Sequence, residues 1–362
     1  MRTIIYYYYF FLIFGKTIDF VYNFFNCGFF VETRDYNGNK HFDLKFIKIC
    51  NISITIMIQD QLDIIFIAAI SSVFSLITCI FRKKISFFLN LDAIPNDQRK
   101  IHKSNIPQVG GLACYLPIMA SIAFSIFFLE SSNFKFLILL TLLVTAFFIL
   151  GILDDRENLR PLVKTVIIFF TLLIFLPLDQ NSVIHYLEFK YFIDKPIILN
   201  EASLIFTVFC IFLFYNTLNF ADGANGIAKT LSIYWIVMLL LKSEDYKIIL
   251  LTFLISLLVV LIFNLKNKLF LGNSGTSMIA IIIGIFYIEI YNTQSNIFAD
   301  EIFIYFVFPG IDLVRVVSER ILNNKSPFHA DKSHIHHYFM RSFNINFIWI
   351  PYILLSMLPF FL

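Results

Sequence analysis

The chain has 362 residues, of which 59% are hydrophobic, 18% aromatic and 15% charged, with a net charge of +3. Its mean hydropathy is +0.79. Soluble domains are nearer half apolar and a quarter charged, so this composition excludes an ordinary soluble enzyme. The basic residues form no dense patch, which excludes nucleic-acid binding.

The first fifty-odd residues read differently from the rest. Tyr6–Tyr9 and Phe20–Phe30 are aromatic but interrupted by Lys16, Asp19, Asn23 and Asn26, and Arg34–Lys48 is polar. That is neither a secretory leader nor a clean span. Met57 stands just before a well-formed first helix, so residues 1–57 are expected to be an extension outside the natural protein and 58–362 a single transmembrane domain. An additional span near Ile4–Phe14 is the rival reading.

From Leu62 onward, apolar stretches of roughly 17 to 25 residues recur between charges, the length needed to cross a bilayer as helix. The expected spans are Leu62–Phe81, Leu112–Leu129, Phe134–Leu153, Pro161–Leu178, Ala202–Leu218, Ile227–Leu241, Ile248–Leu265, Ser277–Tyr291, Glu301–Val314 and Ile345–Leu362. A β-barrel would show short alternating segments instead. The expected fold is therefore an all-α polytopic membrane protein of about ten transmembrane helices. With strict alternation, one side collects Arg82, Lys83, Lys84, Arg99, Lys100 and Lys103 and most later basic residues, while the other keeps Lys135, Lys190, Lys195, Lys242 and Lys247. By the positive-inside rule the first side is cytoplasmic. Cys27, Cys50, Cys79, Cys114 and Cys210 have no metal or disulfide spacing and read as packing residues.

Five polar clusters interrupt the apolar chain. Lys100 and His102 lead to Pro107-Gln-Val-Gly110-Gly111 after the first span, and Asp154-Asp155-Arg156-Glu157-Asn158-Leu159 closes the third. Asn219-Phe-Ala-Asp222-Gly223-Ala-Asn225-Gly226 follows the fifth, Leu271-Gly-Asn273-Ser-Gly-Thr-Ser277 the seventh, and Phe328-His-Ala-Asp331-Lys-Ser-His334-Ile-His336-His337 the ninth. All fall after odd-numbered spans, hence on the cytoplasmic face, and the opposite loops hold nothing comparable.

Each cluster has a plain explanation. Adjacent loop acids are usually solvated, glycines and Asx residues make turns, Ser and Thr cap helices, and Lys100 with His102 flanks a span. Against this, two carboxylates fused to a span, with Lys164 in the next, are costly unless used. Carboxamide and carboxylate oxygens suit Mg²⁺, and the helix start at Gly272 offers N–H groups to an anion. His-x-His-His lacks the i,i+4 spacing of a helix-borne zinc site, so these histidines, with Asp331 and Lys332, better suit a diphosphate.

Taken in order, Lys-x-His…Pro-x-x-Gly-Gly, Asp-Asp-Arg-x-x-Leu-x-Pro-x-x-Lys, Asn-x-x-Asp-Gly-x-Asn-Gly, Leu-Gly-Asn-Ser-Gly and Asp-Lys-x-His-Ile-His-His resemble the polyprenyl-phosphate N-acetylhexosamine-1-phosphate transferases of glycosyltransferase family 4. The match runs from about Lys100 to His337, and the His-Ile-His-His form is more similar to the GlcNAc-1-phosphate branch than to the phospho-N-acetylmuramoyl-pentapeptide branch. The resemblance implies transfer of a sugar 1-phosphate from a UDP-N-acetylhexosamine to polyprenyl phosphate, releasing UMP, with Mg²⁺ or Mn²⁺ as cofactor. It also implies a bacterial inner membrane, a cytoplasmic active site and, in many members, a homodimer.

The roles that it implies are specific. Asp154 orients the lipid phosphate or acts as base, with Asp155 beside it, and Asp222 lies near metal or nucleotide. Asn219 and Asn273 are metal ligands. Lys100, His102, Lys164, Asn225, Asp331, His334, His336 and His337 meet substrate. Two positions depart from the pattern: Asn273 stands where many members have Asp, and Asn158 where many have a third Asp. A secondary transporter and a non-catalytic membrane partner are the alternatives, and metal-dependent UMP release separates the enzyme from both.

Overall fold

A computed structural model describes residues 33–34, 40–41, 66–93, 105–128, 133–191, 193, 195–243, 245–294, 296–327, 333–343 and 347–361. The chain divides into two compact units, residues 1–62 and 63–362. In the first, β1 (Thr33–Arg34) pairs antiparallel with β2 (Lys40–His41). The boundary expected at Met57 and the rival span at Ile4–Phe14 lie outside the described residues.

The second unit is helical. Helices α1 (Phe66–Ile80) and α2 (Arg82–Leu89) form a pair bent by 70°. Strand β3 (Asp92–Ala93) then pairs with β4 (Ile106–Pro107). Next come α3 (Gly110–Phe128), α4 (Phe134–Glu157) and α5 (Pro161–Phe175). A small hairpin, β5 (Tyr186–Leu187) with β6 (Ile197–Ile198), precedes α6 (Ser203–Ala221), α7 (Ile227–Lys242) and α8 (Lys247–Leu265). The chain continues through α9 (Gly272–Thr293), α10 (Ala299–Leu322), α11 (Ile335–Ser342) and α12 (Trp349–Phe361).

Six of these helices are long and apolar enough to cross a membrane, or seven with the bent pair counted as one span. The chain is thus an all-α, multi-pass membrane protein. Three expected spans are helical without meeting that standard. Helix α7 has 16 residues and α12 has 13. Helix α10 is long enough, but Asp312, Arg315, Glu319 and Arg320 crowd its second half.

Helix α9 is the centre of the bundle. It packs most extensively on α4 and then on α6, α3 and α7. Of its apolar stretch 94% is buried in protein, against 17% for α5, which faces outward. Two glycines let its first turn sit close. A Cβ on Gly151 of α4 would lie 2.3 Å from Ser274 Cα, and one on Gly111 of α3 would lie 2.5 Å from Gly275 N. Without side chains at 111 and 151, backbone meets backbone and three helices share one contact.

Among the described residues every non-glycine with positive φ is an asparagine: Asn90, Asn158, Asn200, Asn267 and Asn324. Asn158 is the C-cap of α4 at φ 51°, its N–H bonded to Asp154 O. Its short amide tolerates the left-handed conformation that stops the helix. The departure at position 158 therefore has a conformational reason.

Candidate active site

The adjacent acids at the end of α4 point to different partners, because consecutive helical residues project about 100° apart. Asp154, 8% exposed, accepts from Lys164 Nζ at 2.7 Å and from Leu159 N at 3.0 Å. The Lys164 ammonium also lies 5.4 Å from the centre of the Tyr215 ring, whose hydroxyl is 3.0 Å from Ser277 Oγ. Pro161 at the first position of α5 starts that helix and brings Lys164 back to Asp154.

Asp155 turns to α9. Its two oxygens accept from Asn273 N at 2.7 Å and Ser274 N at 2.9 Å. The N–H groups that the sequence offered to an anion are thus taken by the chain's own carboxylate, which also meets the positive end of the helix dipole. Gly272 has φ 78°, and a Cβ there would lie 2.7 Å from Asp155 Oδ2. The sharp entry and the seated carboxylate both require glycine.

The other clusters join the same end of the bundle. Pro107 O accepts from Phe270 N, and Gly110 and Gly111 donate to Phe270 O and Leu271 O, so the Gly-Gly segment forms the wall beside the α9 start. Asn219, in the last turn of α6, donates through Nδ2 to Asn273 Oδ1 at 3.2 Å. Asp222, the next cap, pairs with Lys229 Nζ at 2.5 Å, and Lys229 is 2% exposed. Burial raises the Asp222 carboxyl above the usual range, and the Lys229 ammonium opposes this.

Gly223 lies against His336: a Cβ on it would sit 2.6 Å from Nε2. His336 is 2% exposed, and Nε2 has no hydrogen-bond partner among the described residues. Burial, reinforced by His337 and His334, lowers its pKa from 6.5 to about 3, so the ring is neutral near pH 7. His334 Nδ1 is 3.1 Å from Asp312 Oδ2, and His337 N donates to His334 O. Asn225 is tied elsewhere, donating to Asn267 Oδ1 at 2.5 Å, while Gly226 N donates to Asn264 Oδ1. Lys100, His102 and Asp331 lie outside the described residues.

One end of the bundle thus gathers Asp154, Asp155, Lys164, Asn219, Asp222, Asn273 and the three histidines. Lys229, Asp312, Tyr215 and Asn264 belong to the same framework and were not read from the sequence. A signal existed for two of them. Lys229 and Asp312 are single ionisable residues inside apolar runs, and such residues demand a partner.

The donor set does not by itself fit a divalent cation. Asn219 and Asn273 bring two neutral carboxamides together, but one is already bonded to the other. Asp154 and Asp222 are neutralised by lysines, Asp155 by backbone N–H groups, and Asp312 by Arg315 and His334. Among the described residues no group of three or more His, Cys, Asp or Glu is placed to hold a metal. A hard cation needs more anionic oxygen than this set offers.

Comparison with known proteins adds a second line. Residues 136–291 match the model of Glycosyl transferase family 4. The chain is 27% identical over 259 residues to a probable undecaprenyl-phosphate N-acetylglucosaminyl 1-phosphate transferase of Bacillus subtilis, covering 67% of this chain and 68% of that protein. It is 28% identical over 267 residues to a phospho-N-acetylmuramoyl-pentapeptide-transferase of Staphylococcus aureus, covering 67% and 78%. The matched residues 136–291 hold α4 to α9, and so the acid pair, the Asn219 loop and the α9 start.

Proposed function

We propose that the chain is a member of Glycosyl transferase family 4, whose model matches residues 136–291, and that it transfers a sugar 1-phosphate from a UDP-N-acetylhexosamine to undecaprenyl or a similar polyprenyl phosphate. The observation that carries this reading is the convergence of Asp154–Lys164, Asn219–Asn273 and Asp222–Lys229 at one end of membrane-spanning helices. A lipid phosphate can reach such a site from the bilayer and a nucleotide from the water. We place that end in the cytoplasm of a bacterial inner membrane by the distribution of lysine and arginine, and assign about ten spans, counting the three helices that are short or charged.

In the reaction an oxygen of the lipid phosphate attacks the sugar-bearing β-phosphorus of the donor. The new P–O bond makes the polyprenyl-diphospho-sugar, and the bond to the α-phosphate breaks, releasing UMP. No proton need move when the acceptor is the dianion, so the work is placement and neutralisation of charge. In this reading Asp154 holds Lys164 towards the acceptor phosphate. Asp155 fixes the α9 start, which sets Asn273 beside Asn219. Lys229 holds Asp222 at the nucleotide side, and His334 meets the diphosphate. Mg²⁺ or Mn²⁺, used typically in this family, would take much of its anionic oxygen from the substrates.

The test is UMP release by purified protein from UDP-GlcNAc and undecaprenyl phosphate with Mg²⁺. Asp154→Asn and Asn219→Ala should each lose at least about 100-fold in kcat, as for groups that place reacting phosphates. Full activity in either variant rejects the site, and no release by the parent protein with any UDP-N-acetylhexosamine rejects the function.

A further inference from the structure

The three histidines of the last cluster are held in different ways, and His334 has the carboxylate of Asp312 behind it. Asp312, 3% exposed and in α10, accepts at Oδ2 from His334 Nδ1 at 3.1 Å, and both its oxygens lie within 3.3 Å of Ile335 N. Arg315, one turn further on, donates to Asp312 Oδ1 at 2.8 Å and to Ser333 O at 2.5 Å. The acid therefore stays ionised and can only accept, which fixes the proton of a neutral His334 ring on Nδ1. The faces of the ring are held too. Phe220 stands 5.0 Å away by ring centres, and His336 is nearly parallel at 5.6 Å. His336, in contrast, has its Nε2 against the Gly223 backbone.

We propose that Asp312 is a positioning residue of this site: it fixes the tautomer and direction of His334, aiming Nε2 of that ring, on the edge away from the carboxylate, at the substrate diphosphate. This rests on the transferase reading. Asp312 acts through His334 and touches no substrate. Carboxylates behind a ligand-binding imidazole commonly control its orientation, and their loss costs about 10- to 100-fold at metal sites, where the same geometry recurs.

The experiment uses the full chain in nanodiscs, with UMP release and ¹⁵N-histidine spectra as readouts. Asp312→Asn should lower kcat about 10- to 100-fold while KM for the acceptor lipid changes little, and Asp312→Glu should recover part of the loss. In a His334→Gln background the same Asp312→Asn change should cost less than about 2-fold, because the two residues act as one unit. The spectra should show Nδ1 of His334 protonated in the parent and the proton moved to Nε2 in Asp312→Asn. Equal losses in both backgrounds, or a parent His334 protonated on Nε2 alone, overturn the proposal. Where Asp312→Asn fails to fold, Arg315→Gln, which leaves the carboxylate, should show a smaller loss of the same kind, and an unchanged rate there overturns it. A parent that releases no UMP refutes the transferase reading instead, and the spectra still decide whether Asp312 sets the tautomer.

Discussion

Asp222 and Lys229 show how a residue-scale reading is completed by its partner. The motif Asn219–Gly226 offered Asp222 as a free oxygen donor, whereas the folded chain gives it a lysine seven residues on, almost fully buried. Removing one member strands the other. Lys229→Met should destabilise the protein by about 3 kcal/mol, and adding Asp222→Asn should recover much of that, as thermal unfolding in detergent will show. No recovery in the double variant would mean that Lys229 has another structural role. Asn273 lends itself to a second test. Its Oδ1 accepts from Asn219, and an aspartate can accept in the same place while adding charge. Asn273→Asp should therefore keep the fold and tighten Mn²⁺ binding measured by electron paramagnetic resonance, with activity at low Mg²⁺ equal or higher. Weaker Mn²⁺ binding would contradict the expectation that a carboxylate placed at position 273 faces a cation.

At the scale of elements, sequence periodicity found the helices but misplaced their polar ends. The expected eighth span began at Ser277, whereas α9 begins at Gly272, because its polar first turn is buried and bonded to Asp155. The ninth was expected to stop at Val314, but α10 runs to Leu322, its charges satisfied by Asp312–Arg315–Glu319 pairing. At the α9 start other helices, not water, wait outside the polar turn, whereas α10 runs on past its expected end with Glu319, Ile321 and Leu322 exposed. The α4–α9 contact can be tested at Gly151: Gly151→Val drives a side chain into the Ser274 backbone and should lower stability by more than about 2 kcal/mol and abolish UMP release. Normal melting of that variant would deny the close approach. Helix α11 carries a pH dependence. The His336 pKa is lowered from 6.5 to about 3 in the fold, so below pH 6.5 the unfolded chain takes a proton that the folded one refuses. Stability should fall by roughly 2 kcal/mol between pH 7.5 and pH 5, and His336→Gln should remove that part of the loss.

For the whole molecule, the five clusters were legible in the sequence as a set, and parity and charge bias are the ground on which we propose one cytoplasmic face for them. The pairing within the site was only partly legible: Lys164 stands ten residues from Asp154 and was read beside the acid pair, whereas Asp312 with His334 and Asp155 with the α9 start join elements further apart in sequence. Sidedness is directly testable. In a background without reactive native cysteines, Glu157→Cys at the site end should react with an impermeant maleimide only in inside-out vesicles, and Lys195→Cys in the β5–β6 hairpin only in right-side-out ones. The reverse pattern would invert the orientation.

The asparagines at positive φ have an economy of their own. A chain with 12 glycines gives Asn90, Asn158, Asn200, Asn267 and Asn324 a duty that glycine performs with less strain. The protein then holds unclaimed thermal headroom at these turns. Asn90→Gly and Asn324→Gly, both away from the reacting groups, should each raise stability by roughly half a kcal/mol, with no change in turnover.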